Sequence, residues 1–142
     1  MSVQLAEFRG MMEGHISAQA AKTADLDDLE KLKNILRDAL FHIKTDPSGW
    51  KEFHKLDAKF HRTLAEIGQN PLIDVNLSAV HDNIQIYFHQ YLPWSRALLK
   101  ENYEDLCNIV NAIELKDSKS ARRLAVGHVI EFNELMEKNL DG

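Results

Sequence analysis

Apolar residues recur every three or four positions along almost the whole chain, and alternating runs bounded by turn residues are scarce. That periodicity specifies helices throughout. The first helix is expected over about Val3–Lys22, with Leu5, Phe8, Met12, Ile16 and Ala20 facing inward. "TADLDD" breaks it: Asp25 can accept from the amide three residues on, and Asp28 places negative charge in the first turn of the next helix. Helix two then runs over about Leu26–His42 on a stripe of Leu29, Leu32, Ile35, Leu36 and Leu40. "KTDPSG" reads as a turn, with Ser48 able to cap the next helix. Helix three covers about Trp50–Ile67, its stripe being Phe53, Leu56, Phe60, Leu64 and Ile67. Gly68 suits the C-terminal cap of that helix, and Pro71 opens helix four, about Leu72–Tyr91, where a missing amide costs nothing. Pro93 in "LPW" interrupts the pattern before helix five, about Ser95–Leu115, in which Asn102 marks a candidate break. "KDSKS" leads into helix six, about Lys119–Leu140, whose inward face is Leu124, Val129, Phe132, Leu135 and Met136.

Six to seven helices joined by short turns make an all-α antiparallel bundle, a fold that builds its sites in the core from side chains on facing helices. The 142 residues are one domain's worth, without an internal repeat or interior linker. No apolar run approaches the ~20 residues of a membrane span, no secretory signal is visible at "MSVQLAEFRG", and the lone Cys107 cannot form an internal disulfide and reads as a buried core thiol. A cytoplasmic protein is expected. A net charge of -5 and a pI of about 5.8 exclude the basic footprint of a domain that holds DNA by itself.

The candidate chemistry centres on "KLDAKFHRTLAEIGQNP". At ~100° per residue Asp57 and His61 project within about 40° of each other, one turn apart beside the apolar stripe. They are either two ligands of a metal or an ordinary polar pair. His54, two turns before His61, is placed at the surface or behind the site. His128 falls among Leu124, Val129 and Phe132 and needs a partner if buried. The chain carries no phosphate-cradling glycine loop, HExxH, CxxC, GxSxG or EF-hand loop and no paired Glu-x-x-His, so an enzyme is disfavoured.

Three segments in order resemble the FCD effector domain of GntR-family transcriptional regulators. "RGMMEGHISAQAAKTADLDDLEKL" is similar to its opening, with Arg9, Glu13, Ala20, Ala21 and Leu29 on the matching positions. "FHKLDAKFHRTLAEIGQNPLI" resembles its Asp-x-x-Phe-His segment followed by Asn-Pro, and "IVNAIELKDSKSARRLAVGHV" its closing segment. The likeness spans about residues 5–137.

The resemblance implies a divalent metal, zinc or nickel, in the bundle core, held by Asp57, His61 and His128. The family's fourth ligand is a histidine 22 positions before the last one, and here that place is Leu106, with His81 as the nearest replacement. It further implies a small organic acid as effector, with Arg9 and His81 beside it, although Arg9 equally suits a salt bridge to Glu13. A homodimer is implied, contacting DNA only through a winged helix-turn-helix domain that is absent from this chain. Two alternatives stay open: a metal-free domain with an apolar effector pocket, and a bundle enzyme using the same metal.

Overall fold

The computed structural model describes the backbone of residues 3–45, 50–91 and 96–141, with the side chains in these ranges apart from residues 50, 84–91, 96, 136 and 139–141. Among the described residues every element is helical: α1 Val3–Thr23, α2 Leu26–Thr45, α3 Trp50–Ile67, α4 Pro71–Tyr91, α5 Arg96–Glu114 and α6 Ser118–Asp141. The expected order holds, and α5 runs through Asn102 without the expected break. The turn at Asp46–Gly49 and the interruption at Pro93 lie outside the described residues, as does the side chain of Met136.

Three helix boundaries arise from side chains that replace missing backbone partners. Asp25 Oδ1 accepts from the Asp28 amide at 2.8 Å while Asp28 Oδ2 accepts from the Asp25 amide at 3.1 Å, a reciprocal cap that starts α2. Asn70 Oδ1 caps α4 through the Ile73 amide, and Asp117 caps α6 through the amide and hydroxyl of Ser120. At the end of α3 the left-handed residue is Gln69, not the expected Gly68. The amides of Gln69 and Asn70 return to the carbonyls of Glu66 and Ala65, and Lys116 and Asp117 do the same for α5. A Cβ on Gly68 would stand at ordinary contact distance, 3.4 Å, from Gln19 Cβ of α1, so the packing there does not itself require a glycine.

α1 lies against α3, α4, α5 and α6, so it is enclosed on most of its circumference. That is why positions 9, 10, 12–14, 16–18, 20 and 21 are all buried and why α1 shows no apolar stripe. Phe8 is a correction: it is 43% exposed. Stepping by four residues slides about 80° around a helix in two turns, so Phe8 has left the face that holds Ile16, and Arg9 takes the inward position. The main core joins Ile16 of α1 to Leu32 of α2, Phe60 and Leu64 of α3, Leu77 of α4, Leu106 and Ile109 of α5, and Ala121 and Ala125 of α6. Cys107 only flanks this core and is half-buried, so it is not the interior thiol expected.

Gly10 and Gly14 bring α1 against Val126 of α6. A Cβ on Gly14 would stand 2.9 Å from Val126 Cγ2 and 3.3 Å from Arg122 Cγ, and a helical valine has essentially one rotamer to offer. Gly127 of α6 would meet nothing within 4 Å. Two substitutions to the same residue should therefore move stability in opposite directions. Gly127→Ala is expected to raise the urea midpoint by the equivalent of ~0.5–1 kcal/mol through helix propensity. Gly14→Ala is expected to lower it by ~1–2 kcal/mol despite the same propensity gain, and adding Val126→Ala should relieve that loss. Equal effects at the two glycines would show that α1 and α6 are not in tight contact.

Candidate metal and effector site

α3 carries Asp57 and His61 one turn apart, with His61 Nε2 3.3 Å from Asp57 Oδ1 and both side chains buried. The ring of Phe60 packs edge-on against His61 at 5.5 Å, so the pair lies at the edge of the apolar core. α6 delivers His128, whose ring stacks at 6.0 Å and 17° on that of His61. One donor atom from each of Asp57, His61 and His128 fits within a mutual distance of 4.8 Å. The structure thus brings together the three residues that the sequence proposes as ligands.

The partner that His128 requires is Asp105 of α5, whose Oδ2 lies 2.9 Å from Nδ1. This contact commits Nδ1 and leaves Nε2 for a further group. His61 is held in the same manner from the opposite side: Glu13 Oε1 of α1 lies 2.5 Å from its Nδ1, leaving Nε2 toward Asp57. A carboxylate behind each imidazole is the arrangement that orients ligating histidines and raises their basicity.

Arg9 and His81 sit behind the His61 side of the site. Arg9 Nε lies 2.7 Å from Glu13 Oε2, and its guanidinium covers the Phe132 ring at 5.2 Å, so its salt bridge to Glu13 is formed. His81 of α4 places Nε2 3.4 Å from Glu13 Oε1 and its ring 4.9 Å from that of His61. It therefore groups with Glu13 and His61, a second set of three donors, and not with Asp57 and His128. Leu106 is sealed in the main core. His54, expected at the surface or behind the site, is buried.

Apart from the His128–Asp105 hydrogen bond, these contacts are close without being well-aligned hydrogen bonds. Both ring nitrogens of His61, Nε2 of His81, both oxygens of Glu13, Oδ1 of Asp57 and Nη1 of Arg9 are buried without one. Buried polar atoms are ordinarily satisfied, and these meet charge within the cluster itself: Arg9 and His81 against Glu13, and His61 between Glu13 and Asp57. The electrostatics agree. Burial opposes ionisation of Glu13, but the charges of Arg9 and His61 outweigh it and hold the carboxyl well below its ordinary range. Burial also opposes ionisation of Asp57, and His61 reverses it, again lowering the carboxyl. For His61 burial disfavours the imidazolium, yet Glu13 and Asp57 raise it to about 9. His81 is lowered, chiefly by burial, with the contact to Glu13 acting in the opposite direction.

Sequence reasoning missed two site residues. Glu13 was legible only as a partner of Arg9, because its histidine contacts lie on other helices. Asp105 offered a weak signal, an acid immediately before the place where the fourth ligand was sought.

A family model of the FCD domain matches residues 4–131. Among solved structures, Streptococcus agalactiae GntR superposes with a TM-score of 0.73 at 22% identity, over 92% of this chain and 57% of that one. E. coli McbR/YncC superposes with a TM-score of 0.83 at 15% identity, over 95% of this chain and 67% of that one. No curated protein matches the chain by sequence. The chain thus spans a little over half of the streptococcal protein's length, and likeness at such identities is evidence of fold. The family match over most of the sequence shows more: the chain belongs to the FCD domain family.

Proposed function

We propose that the chain is the effector-sensing and dimerisation domain of a bacterial GntR-type transcriptional regulator, with a divalent metal, zinc or nickel, on Asp57, His61 and His128. The observation that carries this reading is the pair of opposed carboxylates. Glu13 engages Nδ1 of His61 and Asp105 engages Nδ1 of His128, which leaves His61 Nε2 beside Asp57 at 3.3 Å, and one donor from each of Asp57, His61 and His128 lies within 4.8 Å of the others. Two imidazoles and a carboxylate suit a borderline divalent ion. When bound, such an ion supplies a positive charge and open coordination positions for oxygen donors.

The chain's own residues do the remainder. Glu13 and Asp105 orient the two rings, and Phe60 and Leu64 help keep water from the site. Leu106 contributes no donor in the place where a fourth ligand is sought, so the remaining positions of such an ion would fall to the carboxylate or hydroxyl oxygens of a small organic acid. Arg9, with Nη1 buried without a hydrogen bond, and His81 share the Glu13 carboxylate and are the side chains assigned to the effector's charge. The role is sensory, not catalytic. The DNA contact belongs to a winged helix-turn-helix domain, with a second copy of the chain as partner, and the names of the two bacterial structural neighbours support that setting. Among the described residues no helix is long and apolar enough to cross a membrane.

Loading the site requires His61 to release its Nε2 proton, which ties metal affinity to pH. With His61 raised to about 9, zinc affinity should increase from pH 6.5 towards 9, by up to ~tenfold per unit. The zinc-free protein should behave oppositely. Stability from His61 is complete below its ordinary value of 6.5 and is lost as pH rises through about 9. Stability from the lowered Glu13 and Asp57 is present above their ordinary values of 4.5 and 3.8 and is lost at acid pH. His81, lowered, adds to the loss below 6.5. Melting temperature in chelator should therefore peak near pH 6.5 and decline on both sides, with zinc removing the alkaline decline. A zinc affinity indifferent to pH would reject ligation by His61.

Leu106→His tests the fourth position. Without metal, a ring buried without a partner should cost ~1–3 kcal/mol of stability. With zinc or nickel added, an imidazole within reach of the ion should recover that loss and raise the melting temperature. Equal destabilisation in both conditions would show that position 106 is out of reach of the ion and reject it as a fourth ligand position.

A further inference from the structure

Beside the buried centre lies a cleft of about 500 Å³ between α5 and α6, large enough for a small molecule. The two helices are antiparallel, and the Asp105–His128 contact sets their register. Leu98 therefore lies across from Leu135 at one end of the cleft, and Asp105 across from His128 at the other, ~10 Å away over seven residues. Leu98, Leu99 and Leu135 make the outer end apolar, while Glu101 and Glu131 face each other near the middle. Glu104 adds a third carboxylate, and no lysine or arginine lines the cleft among the described residues. Asp105 is already committed to His128, whereas the three glutamates bring their charge to the cleft without a cation among its lining residues. The inner end is floored by His128, which is 4% exposed and belongs to the same donor set as the unaligned Asp57 Oδ1 and His61 Nε2.

From these features we infer that the cleft binds a small organic cation, a primary ammonium group carrying a short apolar tail. The tail packs on Leu98, Leu99 and Leu135, and the ammonium lies between Glu101 and Glu131. Walls lined by one sign of charge concentrate the opposite sign, so the same walls disfavour a simple anion. As a binding site the cleft stands by itself. As part of the sensed ligand it rests on the sensing role proposed above: an effector bearing both charges would place its ammonium here and direct its acid group towards the centre beyond His128.

Calorimetric titration of the full chain at low salt, stripped of metal by chelation, with n-hexylamine and with hexanoate separates the cases, because the two share a chain and differ in charge. Saturable binding of hexylamine at one site is expected, with little or none for hexanoate. Glu101→Gln/Glu131→Gln changes exposed side chains only and should weaken hexylamine by roughly three- to tenfold, as should raised salt. Hexanoate binding as tightly as the amine, an absence of saturable amine binding, or amine binding unchanged in the double variant would each overturn the inference. Zinc titration of the same preparation keeps the two readings apart. Failure to bind zinc with the amine still bound rejects the metal centre and leaves the cleft standing, and normal zinc binding without the amine does the reverse.

Discussion

A carboxylate with almost no access to water, Glu13, constrains the packing of half the bundle. An ionised group in that position costs several kcal/mol unless it is compensated, and removing one member of a buried pair typically costs ~3–5 kcal/mol. Compensation arrives from three directions: Arg9 one turn earlier on α1, His61 from α3 and His81 from α4. Each contact fixes the helix that supplies it. α1, α3 and α4 are thereby tied through one side chain that apolar packing alone would not require.

The same carboxylate explains how a cation site can coexist with a packed core. Arg9 and protonated His61 balance Glu13 and Asp57, so the metal-free cluster is close to neutral without any bound ion. His61 meets the two acids through different ring nitrogens, Nδ1 to Glu13 and Nε2 towards Asp57. Loss of the Nε2 proton leaves Nδ1 still facing Glu13. Exchange of that proton for the metal proposed above would therefore change one side of the ring and preserve the contact that positions it.

Features were legible in the sequence where the interactions behind them are local. Helix order, the Asp25 cap and the Asp57–His61 pair are set by residues within one or two turns, and each could be read. Phe8 was misplaced because its helix is buried on several sides and offers no single stripe to read. The cap after α3 was assigned to Gly68 by residue type, while the backbone turns one residue later, at Gln69. Asp105 and the histidine contacts of Glu13 depend on partners 23 or more positions away, and no periodicity encodes those distances. The resemblance supplied Asp57, His61 and His128 as a set; only packing could supply the acids behind them.

The path by which a ligand could influence the chain beyond its site is also set by packing. α6 carries His128 at the inner end of the α5–α6 cleft and packs against α1 through Val126, only two residues away, with Gly14 opposite it. A gap too small for a methyl group leaves no slack to absorb movement of α6. In the sensing role proposed, a ligand wedged between α5 and α6 would therefore be felt by α1, and through Glu13 by His61 and His81 as well. A ligand shifts such an equilibrium only by its differential affinity for the two arrangements. A ligand in the cleft as proposed would meet that condition, because the walls belong to different helices: a change in the α5–α6 spacing would alter its contact with Glu101 and Glu131 together.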